Sequence, residues 1–156
     1  MALPVTLRRV ACAVSCAYFY RAHPTEHGAV SLRERATLAL VCRRCEEPSC
    51  VDACRFEALE RRPDGVLERH HLRCVSCGCC AQACPFGTIY PDLLTFYVTP
   101  CDYCLRLSGQ EPPCVAGCTR EAITFREVSD DEEDLHAVDD HFAVRTRAWE
   151  RREAVP

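Results

Sequence analysis

The 156-residue chain has no lysine and no asparagine, and only one tryptophan, one methionine and two isoleucines. Its 19 Lys-plus-Arg residues are all arginine. A G+C-rich coding sequence gives that bias throughout a protein, so it carries little functional information. No stretch approaches the ~20 consecutive apolar residues of a membrane-spanning helix, which argues against a transmembrane protein. Asp and Glu total 23 and the formal net charge is −4, a balance that argues against a basic nucleic-acid binder. Phosphate-cradling G-x-G-x-x-G and G-x4-G-K-[ST] loops are missing, as is the H-E-x-x-H zinc motif, and no other catalytic constellation stands out. The hydrophobic fraction of 48 % counts cysteines and many alanines, so large apolar side chains are scarce. A small domain with so thin a core usually needs disulfides, metals or oligomerisation.

Cysteine is what the chain has in excess: 15 residues, well beyond incidental use. The odd number does not suit a secreted disulfide scaffold. Arg8-Arg9 and the mildly apolar run Val10 to Tyr20 could be mistaken for a twin-arginine signal. That run is short, contains Cys12 and Cys16, and ends at Arg21 with no small-residue cleavage site. The expectation is a cytoplasmic location, and clustered cysteines in a reducing compartment are metal ligands more often than bridges.

Spacing narrows the metal. Cys74, Cys77, Cys80, Cys84 and Pro85 form C-x2-C-x2-C-x3-C-P, the run that binds [4Fe–4S] clusters in bacterial ferredoxins, with its fourth cysteine serving a neighbouring cluster. Zinc would fit isolated C-x2-C pairs but closes its site with four ligands and does not need this grouping. Cys79 is left over by the spacing and is expected to be a buried thiol beside the cluster. The unit recurs. Upstream, Cys42, Cys45, Cys50 and Cys54 form C-x2-C-x4-C-x3-C; downstream, Cys101, Cys104, Cys114 and Cys118 form C-x2-C-x9-C-x3-C. Related segments follow each last cysteine, from Arg55 to Leu59, Pro85 to Ile89 and Thr119 to Ile123, each ending in an apolar residue expected to start a short strand. Pro63-Asp64-Gly65 marks a turn between Leu59 and Val66-Leu67, hence a hairpin. A second hairpin is expected from Thr88-Ile89-Tyr90 and Thr95-Phe96-Tyr97-Val98 around Pro91-Asp92.

With these motifs the chain, over roughly residues 6 to 126, resembles the polyferredoxin-type iron–sulfur subunits of the dimethyl-sulfoxide-reductase kind. Electron-transfer subunits of formate-hydrogenlyase-type hydrogenases, carbon monoxide dehydrogenase and tungsten aldehyde oxidoreductases belong to the same family. The resemblance implies an α+β fold of two ferredoxin-like [4Fe–4S] modules with short helices and β-hairpins, followed by a helical or extended C-terminal tail. Residues 42–90 would form one module with two clusters. Residues 1–41 and 91–126 would form the other, and 127–156 an acidic, amphipathic extension. By the family's ligand pairing, cluster A takes Cys42, Cys45, Cys50 and Cys84, and cluster B takes Cys74, Cys77, Cys80 and Cys54. Cluster C takes Cys101, Cys104, Cys114 and Cys16.

A fourth position departs from the family pattern. Counting back through Cys16 and Cys12 puts the missing ligands at Thr6 and Arg9, and a guanidinium that stays protonated cannot ligate. Thr6, Arg9, Cys12 and Cys118 would therefore be a vacated site, leaving twelve ligands and three [4Fe–4S] clusters. Cys12 and Cys118 would be a thiol pair or an oxidisable bridge, with sulfurs within about 7 Å.

Four-thiolate clusters of this type change oxidation state by one electron and offer no open position to substrate, so they store and pass electrons. The resemblance implies a large catalytic oxidoreductase subunit as partner, with a tungsten or molybdenum pterin favoured. A ferredoxin, flavin or NAD(P)-reactive protein would serve as the second redox partner, with no nucleic acid and no direct membrane span. The competing reading is a free-standing multicluster ferredoxin or redox-sensing iron–sulfur protein. Other features are read blandly. His23 and His27 are separated by Pro24 and form a surface pair, and His70-His71 are solvent-exposed or tune the nearby cluster. The acidic run Asp130 to Asp134 is solvated. Leu135, Val138, Phe142 and Trp149 fall on one face of a possible helix that either packs on the chain's own modules or docks the catalytic subunit.

Overall fold

The computed structural model describes residues 27–94, 100–107, 109–119, 121–129 and 132–146. Helix α1, His27–Ala36, begins the described chain, and its last turn carries Arg33 and Arg35, cations suited to the negative end of the helix dipole. It runs into a π-helical turn, Thr37–Val41, in which the Cys42 N–H donates to the Thr37 carbonyl at 3.1 Å. The Thr37 hydroxyl meanwhile donates to the Arg33 carbonyl at 2.8 Å, a side-chain bond that competes with the regular ladder.

The buried side of α1 is polar: Ser31, Glu34 and Thr37, at spacings of three, are all nearly inaccessible. Buried polar groups need partners, and these supply the ties that hold the segment together. Ser31 Oγ accepts the Cys101 N–H at 3.1 Å. Glu34 receives Arg69 Nε and, at 2.7 Å, Arg69 Nη2, which also donates to the Leu93 carbonyl at 3.2 Å. Arg33 pairs with Asp92 at 3.0 Å and lies over the Tyr90 ring.

Between these ties sit two very short helices, α2 (Ser49–Asp52) and α3 (Cys79–Ala83), and one antiparallel hairpin, β1 (Leu59–Arg61) with β2 (Leu67–Arg69). The hairpin is the one marked by Pro63-Asp64-Gly65. Asp64 Oδ1 accepts the Val66 N–H at 3.0 Å, and Gly65 adopts φ +79°, a conformation open to glycine at no steric cost. The register Leu59 to Arg69 and Arg61 to Leu67 turns Leu59, Leu67 and Arg69 inward. The apolar core is Leu38, Cys50, Leu59, Leu67, Ile89 and Leu94, with Cys42, Cys54, Cys80 and Cys84 packed against it. Thiols supply much of what leucine and isoleucine would supply elsewhere.

Residues His27–Cys101 form one compact unit, and the chain from Asp102 onward belongs to a second. The second unit contains a 3-10 turn, Leu105–Leu107, helix α4, Pro113–Ala116, and a hairpin of β3 (Leu135–Asp139) and β4 (Phe142–Arg145) with a bulge between Ala137 and Asp139. Asp139 accepts the Tyr103 hydroxyl at 2.5 Å and the His141 N–H at 3.0 Å. Glu132 takes both Arg126 nitrogens at 2.6 Å and Arg145 at 2.5 Å. The Arg126 hydrogen bonds hold the Glu132 carboxyl down at about 2.

Three local expectations are corrected. The helical face through Leu135, Val138 and Phe142 is a β-hairpin: β-prone Val138, Phe142 and Val144 flank an Asp139-Asp140-His141 turn, so short-range turn chemistry wins over the helical period. Trp149 lies outside the described residues. Thr88-Ile89-Tyr90 is not a strand, because Pro91 opens a 3-10 turn, Pro91–Leu93, immediately after it; Thr95 to Val98 lie outside the described residues. Of the three segments following a last cysteine, only that of Leu59 begins a strand, while Ile89 and Ile123 begin none. A small α+β arrangement of short helices and antiparallel hairpins is what remains. Among the described residues no helix is long and apolar enough to cross a membrane.

Removing one member of the buried Arg69–Glu34 pair strands the other charge, at a cost of about 3–5 kcal/mol. Glu34→Ala should therefore shift the midpoint of anaerobic urea unfolding downward by that equivalent with an unchanged slope, whereas Arg62→Ala, removing an exposed pair with Asp64, should cost under about 1 kcal/mol.

Candidate metal centres

The three cysteine groups share a backbone design. In each C-x-x-C loop the residue before the second cysteine is left-handed: Arg44 (φ +53°), Ser76 (φ +56°) and Tyr103 (φ +54°). None is glycine, so each position is sterically uncommon. The third residue after each last cysteine is left-handed too: Glu57 (+48°), Gly87 (+61°) and Glu121 (+50°). These turns are closed by Glu57 N–H to Cys54 O, Gly87 N–H to Cys84 O and Glu121 N–H to Cys118 O, at 3.0 to 3.2 Å. They aim a further N–H back at the sulfur. Ala58 N–H donates to Cys54 Sγ at 3.3 Å and Ala122 N–H to Cys118 Sγ at 3.2 Å. At Cys84, burial pushes the thiol up, but N–H groups of Thr88, Phe86 and Ile89, with the Thr88 side chain, outweigh it and hold the thiol below its ordinary value. Amide donors on sulfur favour the thiolate, the form that ligates metal.

Cys42, Cys45, Cys50 and Cys84 line one pocket. The pocket is partly open to solvent. The π-helical turn delivers Cys42, the C-x-x-C loop Cys45, helix α2 the buried Cys50, and the end of α3 Cys84. Cys84 stands just past the helix, extended at φ −73°, ψ 111°, as the residue before Pro85 must be. Burial, then Cys84 and Cys42, push the Cys50 thiol up to about 11. Cys42 is raised by burial and by Cys45 and Cys84, against lowering contributions from Arg44. These thiols stay protonated until a cation replaces the protons, so metal uptake here releases protons.

A second group surrounds Cys80. Burial is the main reason its thiol rises to about 11, and Cys54, Cys74 and Cys77 add to the rise, so all four side chains share one neighbourhood. Cys54 comes from the far end of α2 and the other three from the loop into α3. Arg69 interacts with Cys74 as well as Glu34. Among the described residues no three His, Cys, Asp or Glu side chains converge on a point suited to a single ion; a cubane instead takes one thiolate at each of four irons.

Cys101, Cys104, Cys114 and Cys118 are all half-buried. The segment Pro112 to Cys118 repeats Pro48 to Cys54: in both, the N–H of the valine after the cysteine donates to the leading proline carbonyl (Val51 to Pro48, 2.7 Å; Val115 to Pro112, 2.9 Å). Thr6, Arg9, Cys12 and Cys16 lie outside the described residues, as does His23.

Two site expectations are corrected. Cys79 is exposed, not buried. It is the first residue of α3, after left-handed Gly78 (φ +76°), and that turn faces solvent, where the Cys79 N–H and thiol bond the Cys77 sulfur and lower its thiol. His71 is not simply exposed. Among the described residues its Nδ1 is buried without a hydrogen-bond partner, and burial, Arg69, Arg35 and His70 push it down to about 4, so it is neutral at pH 7. His70 Nε2 lies 2.7 Å from Glu60 Oε2. The spacing of cysteines gave no sign of the arginines near them, Arg44 and Arg69. Gly87 was the one hint of the left-handed turn shared by Glu57 and Glu121, since glycine is the usual occupant of that conformation.

This geometry, repeated cysteine loops with amide-cradled sulfurs around shared pockets, is that of an iron–sulfur protein. The profile of the 4Fe-4S dicluster domain matches residues 33–128, more than half of the chain, and the chain belongs to that family. Among similar proteins, the B subunit of polysulfide reductase from Wolinella succinogenes is 35 % identical over 100 residues, 62 % of this chain and 52 % of its own length. The thiosulfate reductase electron transfer subunit of Salmonella typhi is 34 % identical over 94 residues, 58 % of this chain and 49 % of its own. The B subunit of anaerobic dimethyl sulfoxide reductase from Escherichia coli is 32 % identical over 90 residues, 56 % and 44 %. The chain spans about half the length of these curated relatives.

Because Cys79 is exposed and outside the ligand spacing, the loaded protein should alkylate at Cys79, mapped by peptide mass spectrometry. Cys79→Ser should lose that modification and keep its iron content.

Proposed function

We propose that the chain is an electron-transfer subunit carrying three [4Fe–4S] clusters, which relays electrons between a catalytic oxidoreductase subunit and a second redox partner. The observation that supports this most directly is the meeting of Cys42, Cys45 and Cys50 with Cys84 in one pocket. The fourth thiol comes from the second cysteine run, 34 residues further along, in the crossed arrangement of paired cubanes. Cluster A takes these four residues and cluster B takes Cys74, Cys77, Cys80 and Cys54. Cluster C takes Cys101, Cys104, Cys114 and Cys16, and Thr6, Arg9, Cys12 and Cys118 mark a vacated fourth position. The two-module division, with 42–90 paired against 1–41 and 91–126 and followed by 127–156, is part of the same proposal.

A bound cubane supplies a one-electron carrier with no open coordination position. The chain's own residues bind it, shield it and set its potential through amide donors and nearby charge. Relatives named as B subunits of reductases and as an electron transfer subunit support a large reductase-type partner, for which a tungsten or molybdenum pterin enzyme is favoured; a cytoplasmic site of action belongs to the same proposal.

Anaerobic iron and acid-labile sulfide per chain test the reading: about twelve of each is expected for three cubanes. Cys84→Ser should lose about four irons, the cluster A complement, and leave about eight. Stoichiometric zinc without sulfide would overturn the iron–sulfur assignment, and about eight irons in the parent chain would remove cluster C.

A further inference from the structure

The wall of the Cys42–Cys84 pocket is cationic: Arg43, Arg44 and Arg61 line it, and among the described residues no carboxylate does. Arg43 and Arg61 are exposed, so water and salt screen them. Arg43 lies over the Phe86 ring at 5.6 Å, and Arg61 donates to the Glu46 carbonyl at 3.2 Å.

Arg44 is held differently. It is half-buried. Its Nη2 donates to the Ala39 carbonyl at 3.3 Å, in the π-helical turn, and its Nη1 to the Asp64 carbonyl at 3.4 Å, in the β1–β2 turn. Gly65 backs onto its stem, and a Cβ there would stand 3.6 Å from Arg44 Cδ. Among the described residues, Arg44 Nε is buried with no hydrogen-bond partner. The nearby Asp64 carboxylate is engaged by Arg62 and the Val66 N–H. The backbone at Arg44 is left-handed, so an arginine here runs against local preference. Nor does the loop design require one: Ser76 fills the corresponding slot of the second group at nearly the same φ, and among the described residues its own Oγ is buried and unpartnered. The two equivalent slots thus each hold one unpartnered buried donor and differ by one pinned positive charge.

We propose that Arg44 raises the reduction potential of the cluster held by Cys42, Cys45, Cys50 and Cys84. The assignment rests on the function proposed above. Reduction adds one electron, from a redox partner or mediator, to a [4Fe–4S]2+ core and gives [4Fe–4S]+. No bond forms or breaks and no proton moves. With four thiolates the site goes from −2 to −3, and a fixed cation on the wall stabilises the more negative state more. One charge a few ångströms away at an effective dielectric of about 20 changes such an equilibrium on the order of tenfold or more.

The test is an EPR-monitored redox titration of the reconstituted full chain, with iron and sulfide counted first. Arg44→Ser makes the two slots alike. One cluster should become harder to reduce, its oxidised-to-reduced ratio at fixed potential rising about tenfold, or 59 mV for a one-electron couple, while the other potentials stay put. Arg44→Lys keeps the charge and should stay within about twofold of the parent. Full iron in R44S with every potential at the parent's value overturns the proposal, as does R44K falling as far as R44S. If R44S loses a cubane, Arg44→Gly, which relieves the left-handed backbone, is titrated against the same criteria. Loss of the same cubane from R44G as well overturns the assignment and makes Arg44 an assembly residue. A parent chain without any cubane signal fails at the first step, and there it is the proposed function that falls.

Discussion

Thiols packed close enough to repel one another once ionised are the constraint on which this structure depends. Cys84 and Cys42 add to the burial that raises Cys50, Cys45 and Cys84 add to the burial that raises Cys42, and Cys54, Cys74 and Cys77 add to the burial that raises Cys80. A cation-rich inorganic core removes that conflict, because ligation replaces the protons and binding energy becomes folding energy. Among the described residues the main apolar cluster is too small to make the cysteines incidental: six buried residues, one of them Cys50, with four further cysteines packed against them. Core and metal centres are therefore the same region of the molecule, described once by its carbon and once by its sulfur.

The rest of the first unit orients those thiols. Helix α1 is unusual in burying a polar face, and each group on that face ties down a distant segment: Ser31 the backbone at Cys101, Glu34 the strand residue Arg69, and Arg33, beside it, Asp92. A buried ion pair is weak evidence of stability on its own. Here it fixes where β2 ends, five residues before Cys74 enters the second cysteine group. The left-handed residues before and after the cysteines do the finer aiming. They turn backbone N–H groups onto Cys54, Cys84 and Cys118, so donors that would otherwise face solvent stabilise thiolate.

Cys118 has that amide cradle although the proposed ligand scheme leaves it at the vacated position. Backbone geometry set by Glu121 and Ala122 is local, so it persists whether or not remote ligands do. The same locality explains why β3 and β4 escaped the helical reading. A stripe of Leu135, Val138 and Phe142 fits helical spacing, but the Asp139-Asp140-His141 turn decides the matter, closed by the His141 N–H on Asp139.

What the sequence determined by itself was chemistry written in short intervals. The spacing from Cys74 to Pro85 pointed to [4Fe–4S] binding, the repeat of that spacing to several clusters, and Pro63-Asp64-Gly65 to the hairpin, because each depends on neighbours within about a dozen residues. The grouping of Cys84 with Cys42 followed from the family resemblance; only the tertiary structure decided the rest of what depends on residues far apart: that Glu34 meets Arg69, that Cys79 faces water, and that Arg44 is pinned on the pocket wall between Ala39 and Asp64. Spacing along a chain specifies which groups can ligate. Which charges then stand beside them is set by packing between elements, and no interval in the sequence encodes it.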